Sequence, residues 1–285
     1  MFLADGWKDY AVLDAGDGEK LERWGEQWLI RPDPQVIWPK SAPELWPRAQ
    51  ARYARSQSGG GAWEFRQKIP ESWRIAYGEL CFLVRPTGFK HTGLFPEQAA
   101  NWEWMAGLIR GANRPIRVLN LFAYTGGATL AALCAGADVT HLDAAKGMVA
   151  WAKENAALSG LAQRPARFLV DDALKFVLRE QRRGSVYDAI LMDPPSYGRG
   201  PDGQVWKLEN EIFGLLLECT KLLSERPLFF LLNAYTTGLQ PAVLQNLVEK
   251  TVGARLGGQV RADELGLPVQ SGGVLPCGAS GRWRA

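Results

Sequence analysis

The sequence predicts an α/β chain, with a seven-stranded, Rossmann-like sheet in residues 89–285 and a small β-rich domain in residues 1–88. Three observations carry that reading. The segments IRVLNLFAYTGGATL, VTHLD, RFLVDDALKF and YDAILMDPPSYG follow one another from Ile116 to Gly198, spaced as successive strand ends of one sheet. Nine of the twelve tryptophans fall in the first 104 residues, where the chain breaks into short aromatic-rich pieces. Near the C-terminus, 258–269 and 273–283 read as a closing strand pair, the last strand antiparallel.

Within the small domain, DYAVLDAGDGEKLERWG, WLIRPDPQVIW, GGAWEFRQKIP and WRIAYGELCFLVRP are candidate strands separated by turn residues. Gly59-Gly60-Gly61 fits a flexible hairpin tip. After Pro47, Arg48, Arg52 and Arg55 fall at i, i+4 and i+7, so a helix over 44–56 would set them on one face, with Tyr53 among them. Such a face could track a nucleic-acid backbone and stack a base, or it is simply a solvated helix face.

The large domain opens with an apolar, β-branched run, 116–122, that stops at Ala123-Tyr124-Thr125-Gly126-Gly127 and gives way to a helix-forming stretch, 128–135. Glycines there let the backbone pass close to a ligand, and the helix offers free N–H groups at its start. The spacing is not GxGxxG, and no phosphate-binding lysine follows, so neither a dinucleotide fingerprint nor a P-loop is present. Asp143 ends the second strand, 17 residues beyond Gly126, where an acid meets ribose hydroxyls in doubly wound folds. Asp171 and Asp172 end the third strand, 166–170, and Asp172 is placed either to accept from an adenine amino group or to cap a helix over 173–183. The fourth strand, 187–192, delivers Asp193-Pro194-Pro195-Ser196-Tyr197, whose prolines hold the chain extended with its carbonyls and the Asp193 carboxylate as acceptors. Beyond it, 206–223 reads as a helix, 227–235 as a fifth strand and 241–252 as another helix.

Composition narrows the alternatives. The chain is ordinary in its 47% hydrophobic and 22% charged residues, and no apolar run approaches the length of a membrane span. MFLADGWKDY lacks the basic and apolar regions of a secretion signal, so the expected location is the cytoplasm. Cysteines 81, 134, 219 and 277 are too scattered for a zinc knuckle, and His91 and His141 are the only histidines, so no metal site is expected. A net charge of +3 implies that any RNA contact rests on a local patch. Arg179, Arg182 and Arg183 are read as complementing a helix C-terminus.

From about Phe89 to Tyr235 the chain resembles the class I S-adenosylmethionine-dependent methyltransferases, in particular the subgroup related to bacterial large-subunit ribosomal RNA methyltransferases. The motifs are NLFAYTGG, DPPSY and, just before the sheet, Lys90-His91-Thr92-Gly93-Leu94-Phe95-Pro96-Glu97-Gln98, similar to that subgroup's segment over the cofactor. The resemblance implies S-adenosyl-L-methionine as cofactor, contacted by Phe95, Gln98, Phe122, Thr125, Gly126, Asp143, Asp172 and Asp193, with the DPP loop facing the methyl group. It also implies RNA as substrate and a small β-rich domain before the catalytic sheet. The further RNA-binding module that some relatives carry at the extreme N-terminus is not seen in this sequence.

Methyl transfer from a sulfonium is an in-line displacement, so the protein's main task is positioning. Carbon 5 of cytosine needs a cysteine adduct first. In the cytosine-modifying relatives that cysteine follows the DPP strand or the fifth strand, whereas this chain has Ser196 and LLNAYTTG there, leaving only the remote Cys277. A ring nitrogen needs no covalent help, and an exocyclic amine needs only an acceptor such as Asp193 or the Pro194 carbonyl. Asn233 could bind a base edge and Tyr197 could stack on a flipped base, or they are a turn residue and a packing residue. The stretch 196–204, with Gly198, Arg199, Gly200 and Gly203, reads as a mobile loop able to close over substrate. DPPSY is one residue longer than the (N/D)PPY spacing of amino-group methyltransferases. The expected activity is methylation of a base nitrogen in ribosomal RNA. A protein or small-molecule acceptor, or a binding module without turnover, stand as alternatives, and the oligomeric state is open.

Overall fold

A strand covered on both faces must be apolar along its whole length, whereas a strand with one wet face alternates, and the two halves of the chain differ in this way. The computed structural model describes residues 1–56, 60–199, 205–236 and 238–285. The chain divides into two units, one of residues 1–2, 101–265 and 278–285 and the other of residues 3–100 and 266–277.

In chain order, β1 (Phe2–Leu3) is followed by β2 (Tyr10–Gly16), β3 (Glu19–Trp24), β4 (Gln27–Pro32), β5 (Ala51–Arg55) and β6 (Gly61–Phe65). Strands β2 to β6 form a five-stranded sheet in sequence order, and β7 (Trp73–Tyr77) pairs with β8 (Leu80–Val84) as a hairpin. This is the small β-rich region expected from the tryptophans, with Trp24 fully buried and Trp46 packed in a cluster with Leu13, Leu21 and Ile30. The helix expected over 44–56 is absent. A short 3-10 turn, Pro43–Arg48, ends one residue past its second proline, Pro47, and β5 follows with alternating burial, Ala51 and Tyr53 inward. The three arginines therefore share no face. Arg48 lies over the Trp28 ring, Arg52 is paired with Glu19 at 2.7 Å, and Arg55 is exposed at the strand end. The β5–β6 turn is a hairpin in which Arg55 pairs with Gly61; Gly59 of the expected tip lies outside the described residues.

The larger unit alternates strand and helix: α1 (Ala99–Gly111, whose first two residues belong to the smaller unit), β9 (Arg117–Leu121), α2 (Gly127–Cys134), β10 (Asp138–Asp143), α3 (Lys146–Leu158), β11 (Ala166–Val170), α4 (Ala173–Arg182) and β12 (Ala189–Met192). Next come a short antiparallel pair, β13 (Tyr197–Arg199) and β14 (Val205–Lys207), then α5 (Leu208–Thr220), β15 (Phe229–Ala234) and α6 (Pro241–Val248), which runs on through a π turn to Leu256. Strands β16 (Gln259–Pro268) and β17 (Val274–Arg284) close the chain. The sheet order is β1-β16-β17-β15-β12-β9-β10-β11, so among the described residues it has eight strands, one more than expected, because Phe2–Leu3 joins its edge. Strands β9 to β12 and β15 are parallel, and β17 runs antiparallel to β15. Strand β15, FFLLNA, is buried at every position, as a central strand must be. One face packs Leu119, Leu121, Ile190, Met192 and Phe230 against Phe176, Ile212 and Leu216 of α4 and α5.

Two expected elements shift. Trp206 belongs to β14, not to a helix, and the helix starts at Leu208. The stretch expected to be a loop after Ser196 begins as β13; its Gly200, Gly203 and Gln204 lie outside the described residues.

Candidate active site

Strand register decides which residues meet at the sheet's carboxyl edge. Leu142 is level with Leu121, Leu121 with Met192, and Met192 with Leu232. One residue further on, Asp143, Phe122, Asp193 and Asn233 stand in a row, with Val170 of β11 level with Asp143 and Asp171 one residue past it. The row crosses the point where the strand order reverses, between β9 and β12, which is where open α/β sheets bind ligands.

The turn after β9 carries unusual backbone. Phe122 has φ 55°, Tyr124 49° and Gly126 91°, so two of the three left-handed residues are bulky L residues. Such backbone persists only where neighbours hold it. The Tyr124 amide donates to Asp143 Oδ2 at 2.9 Å, the Ala145 amide donates to Asp143 Oδ1 at 2.8 Å, and Asn155 Nδ2 donates to the Thr125 carbonyl at 2.9 Å. Burial pushes the Asp143 carboxyl above its ordinary value, while the two amides pull it back. Below the turn, Thr129 on α2 accepts from Asn120 Nδ2 at 2.9 Å and lies 2.9 Å from His141 Nδ1. Burial keeps that imidazole neutral, with its pKa lowered to about 3.

The glycines serve packing as well as conformation. A Cβ on Gly127 would stand 2.5 Å from the Trp102 ring, and one on Gly126 would stand 3.0 Å from the Ala152 Cβ. The space expected to admit a ligand at Gly127 is filled by tryptophan.

Asp172 is the cap of α4: its Oδ1 accepts from the Lys175 amide at 2.8 Å. Asp171 is ion-paired with Arg179. Just past β12, Asp193 is half-buried and Pro194 buried, while Tyr197, on β13, is 50% exposed. The Pro195 carbonyl, expected to face outward, accepts from the Trp206 indole at 2.7 Å, and the Trp206 ring packs on Phe122 with centroids 5.5 Å apart. Trp206 thus ties the turn after β9 to the DPP segment. Ser196 Oγ meets Thr236 Oγ1 at 2.6 Å, tying the same segment to the end of β15.

Asn233, expected at a base edge, is buried at 3% exposure. Its Oδ1 accepts from Asn101 Nδ2 at 3.0 Å and from Ser280, and Asn101 Oδ1 accepts from Arg282 Nε at 2.8 Å. The residue clamps α1 to β15 and β17. Phe95 and Gln98 belong to the other unit, where Phe95 precedes the short 3-10 turn Pro96–Gln98 and packs near the His91 ring at 5.3 Å. Cys277, also in that unit, has its thiol pushed well up by burial, which keeps it protonated and a poor nucleophile. Among the described residues no three histidine, cysteine or acidic side chains gather as metal ligands, and no helix is long and apolar enough to cross a membrane.

Tyr124, Asn155 and Trp206 are the contributors the motifs did not reveal. An L residue at positive φ leaves no mark in sequence, and Asn155 is one polar residue within a helix. Trp206 had a signal, an aromatic nine residues after a DPPSY tip, but it reads as the start of a helix.

The edge fits the cofactor that the resemblance implies. Each Asp143 oxygen spends one lone pair on an amide, leaving a second to accept from a ribose hydroxyl. The strained turn beside it is held open by its own hydrogen bonds. The comparisons agree. A family model described as S-adenosylmethionine-dependent methyltransferase matches residues 44–213. The chain is 33% identical over 144 residues to the ribosomal RNA large subunit methyltransferase K/L of Syntrophotalea carbinolica, and 32% over 142 residues to that of Vibrio cholerae. Each match takes in 50% of this chain and 19% of the relative, so the chain spans about a fifth of the length of the curated relatives it matches. Among solved structures, the SAM-dependent methyltransferase from Agrobacterium tumefaciens is 39% identical with a TM-score of 0.94, covering 99% of this chain and 92% of that one. A Streptococcus mutans protein, 20% identical with a TM-score of 0.73 over 97% of this chain and 76% of its own, shares the fold. With more than half its length matched by the family model and nearly all of it superposing on the Agrobacterium protein, the chain belongs to the S-adenosylmethionine-dependent methyltransferases, and S-adenosylmethionine is its cofactor.

Proposed function

We propose that the chain methylates a nitrogen of an RNA base, with ribosomal RNA in the cytoplasm as the substrate. The observation that carries this reading is the make-up of the β12 and β15 ends. Asp193 and Pro194 stand there with Ser196 hydrogen-bonded to Thr236, and neither end carries a cysteine. Without a thiolate to activate a ring carbon, the acceptor must bring its own lone pair, as a ring nitrogen or an exocyclic amine does. The names of the K/L relatives add ribosomal RNA as the nucleic acid.

The bound cofactor supplies an electrophilic methyl group on sulfur. The chain's own residues do the rest by positioning. Asp143 holds the Tyr124 and Ala145 amides and offers its remaining lone pairs to the ribose, with Phe122, Thr125 and Gly126 forming the turn beside it. Asp172 stands at the adenine end, one oxygen spent on its cap. On the acceptor side, Asp193 and the Pro194 carbonyl accept from an acceptor N–H and orient it, and the Asp193 carboxylate takes its proton. Tyr197, half-exposed on β13, offers a ring on which a flipped base stacks. Asn233 serves as a clamp under this edge.

The test is incubation with methyl-labelled S-adenosylmethionine and unmodified total RNA, followed by parallel ribonuclease and protease digestion. Label released by ribonuclease and found on a base nitrogen by nucleoside analysis is the expected result. Label on protein, or none on RNA despite measurable cofactor binding, would overturn the RNA reading.

A further inference from the structure

The loop that joins β8 to the segment before α1 is built to present one aromatic ring. Arg85 N donates to the Thr92 carbonyl at 3.1 Å and Thr87 N to the His91 carbonyl at 3.3 Å, closing a hairpin whose tip is Gly88-Phe89-Lys90. The Thr87 hydroxyl donates to the His91 carbonyl at 2.8 Å and accepts from the Phe89 amide at 3.3 Å. From β6, the Trp63 indole N–H lies 2.9 Å from the Thr87 carbonyl and 3.2 Å from that of Phe89. The backbone of Phe89 is therefore held on both sides, yet its side chain is 69% exposed. Fixing a ring in water without covering it gains nothing for the fold.

The surroundings name the partner's chemistry. Trp63 and Phe65 share one face of β6, paired with Tyr53 and Ala51 of β5, and Arg55 at the end of β5 lies on that same face, exposed. Phe65 is itself 57% exposed. Lys90, next to Phe89, has its ammonium pushed down by burial and by the cations of Lys20, Arg31 and Arg55, with Asp33 opposing. The patch is thus aromatic rings set in positive potential, the combination that holds unpaired bases by stacking while cations follow the phosphates.

We propose that Phe89 is a stacking platform for an unpaired base of a single-stranded RNA segment, with Phe65, on the face of β6 that carries Trp63, as a second ring and Arg55 against the phosphate backbone. The inference rests on the RNA reading above and adds to it a surface within the smaller unit.

Fluorescence anisotropy with a short, labelled, unstructured oligoribonucleotide of mixed sequence tests it. Phe89→Ala is expected to weaken binding by roughly 5- to 150-fold, the range of one lost base stack, without changing the salt dependence. Phe89→Trp should restore it. Arg55→Gln should reduce the slope of log K against log salt by about 0.7, one phosphate contact. Binding of S-adenosylhomocysteine, measured by calorimetry, should be the same in Phe89→Ala and wild type, which shows that the variant is folded. Wild-type binding that Phe89→Ala leaves intact would overturn the inference while leaving RNA methylation standing. No wild-type binding to the oligonucleotide would overturn it too, and the label experiment then decides the RNA reading by itself. Self-association in sedimentation that disappears in Phe89→Ala would assign the patch to a second copy of the chain and equally overturn it.

Discussion

Asp143 accepts from the Tyr124 amide with one oxygen and from the Ala145 amide with the other, so its carboxylate shapes the turn, and the proposed role adds the ribose to its partners. Asp143→Ala should weaken S-adenosylhomocysteine binding by about 10- to 100-fold, the worth of hydrogen bonds to a charged group, in a calorimetric titration. Unchanged affinity would remove the ribose from this position. Asp193 sits across the row, after Met192, and its replacement should act on the other side of the reaction. Asp193→Ala is expected to lower kcat more than cofactor affinity, and equal losses in both would place it with the cofactor instead. Both aspartates were legible in the sequence because a strand end is a position that hydrophobic runs mark out. Asn233 was legible as a position but not as a role. Only the fold brings Asn101, Ser280 and Arg282 around it, from residues far apart in the chain.

The turn between β9 and α2 and the β13–β14 pair show how far local pattern carries. AYTGG marked a turn, but the reason for Gly127 is a ring contributed by Trp102, which no spacing rule connects to it. Gly127→Ala should therefore destabilise the protein by about 1–3 kcal/mol, as overpacking does, and lower Tm in a thermal melt. A melt unchanged from wild type would mean that Trp102 yields at no cost. Trp206 is the corresponding case on the acceptor side, because its indole holds the Pro195 carbonyl while its ring lies against Phe122. Trp206→Phe keeps the ring and loses the N–H, so cofactor affinity should hold while kcat falls about fivefold, one net hydrogen bond's worth. A loss of affinity with kcat intact would instead place Trp206 with the cofactor. The misread helix over 44–56 has a physical cause as well. Arginines at i, i+4 and i+7 look helical, but Ala51 and Tyr53 alternate with Arg52 and Ala54, and burial followed the shorter period.

At the scale of the whole chain, the central strands themselves were readable because strands buried on both faces of a parallel sheet are apolar throughout, whereas their order across the sheet comes only from the fold. The short edge strand Phe2–Leu3 was not, since two residues carry no periodicity. Nor was the charge buried in the smaller unit, on which acid stability depends. Glu22 is wholly buried, accepting from Arg31 Nε at 2.6 Å, from a second Arg31 nitrogen at 2.7 Å and from the Tyr10 hydroxyl at 2.7 Å. Burial alone would raise its carboxyl, but Arg31, Lys20 and these hydrogen bonds outweigh it and bring the pKa from 4.5 to about 2. An acid depressed by folding stabilises the native state above its unfolded pKa, and that stabilisation is lost as pH falls from about 4.5 toward 2. Urea unfolding across this interval should show stability dropping with acid. Glu22→Gln should be weaker at neutral pH by about 3–5 kcal/mol, because Arg31 is left buried without its carboxylate. It should also lose less between pH 4.5 and 2, since the group that titrates there is gone. If variant and wild type lose stability in parallel across that interval, acid sensitivity resides in other carboxylates, and the Glu22–Arg31 pair is structural without being the titrating element.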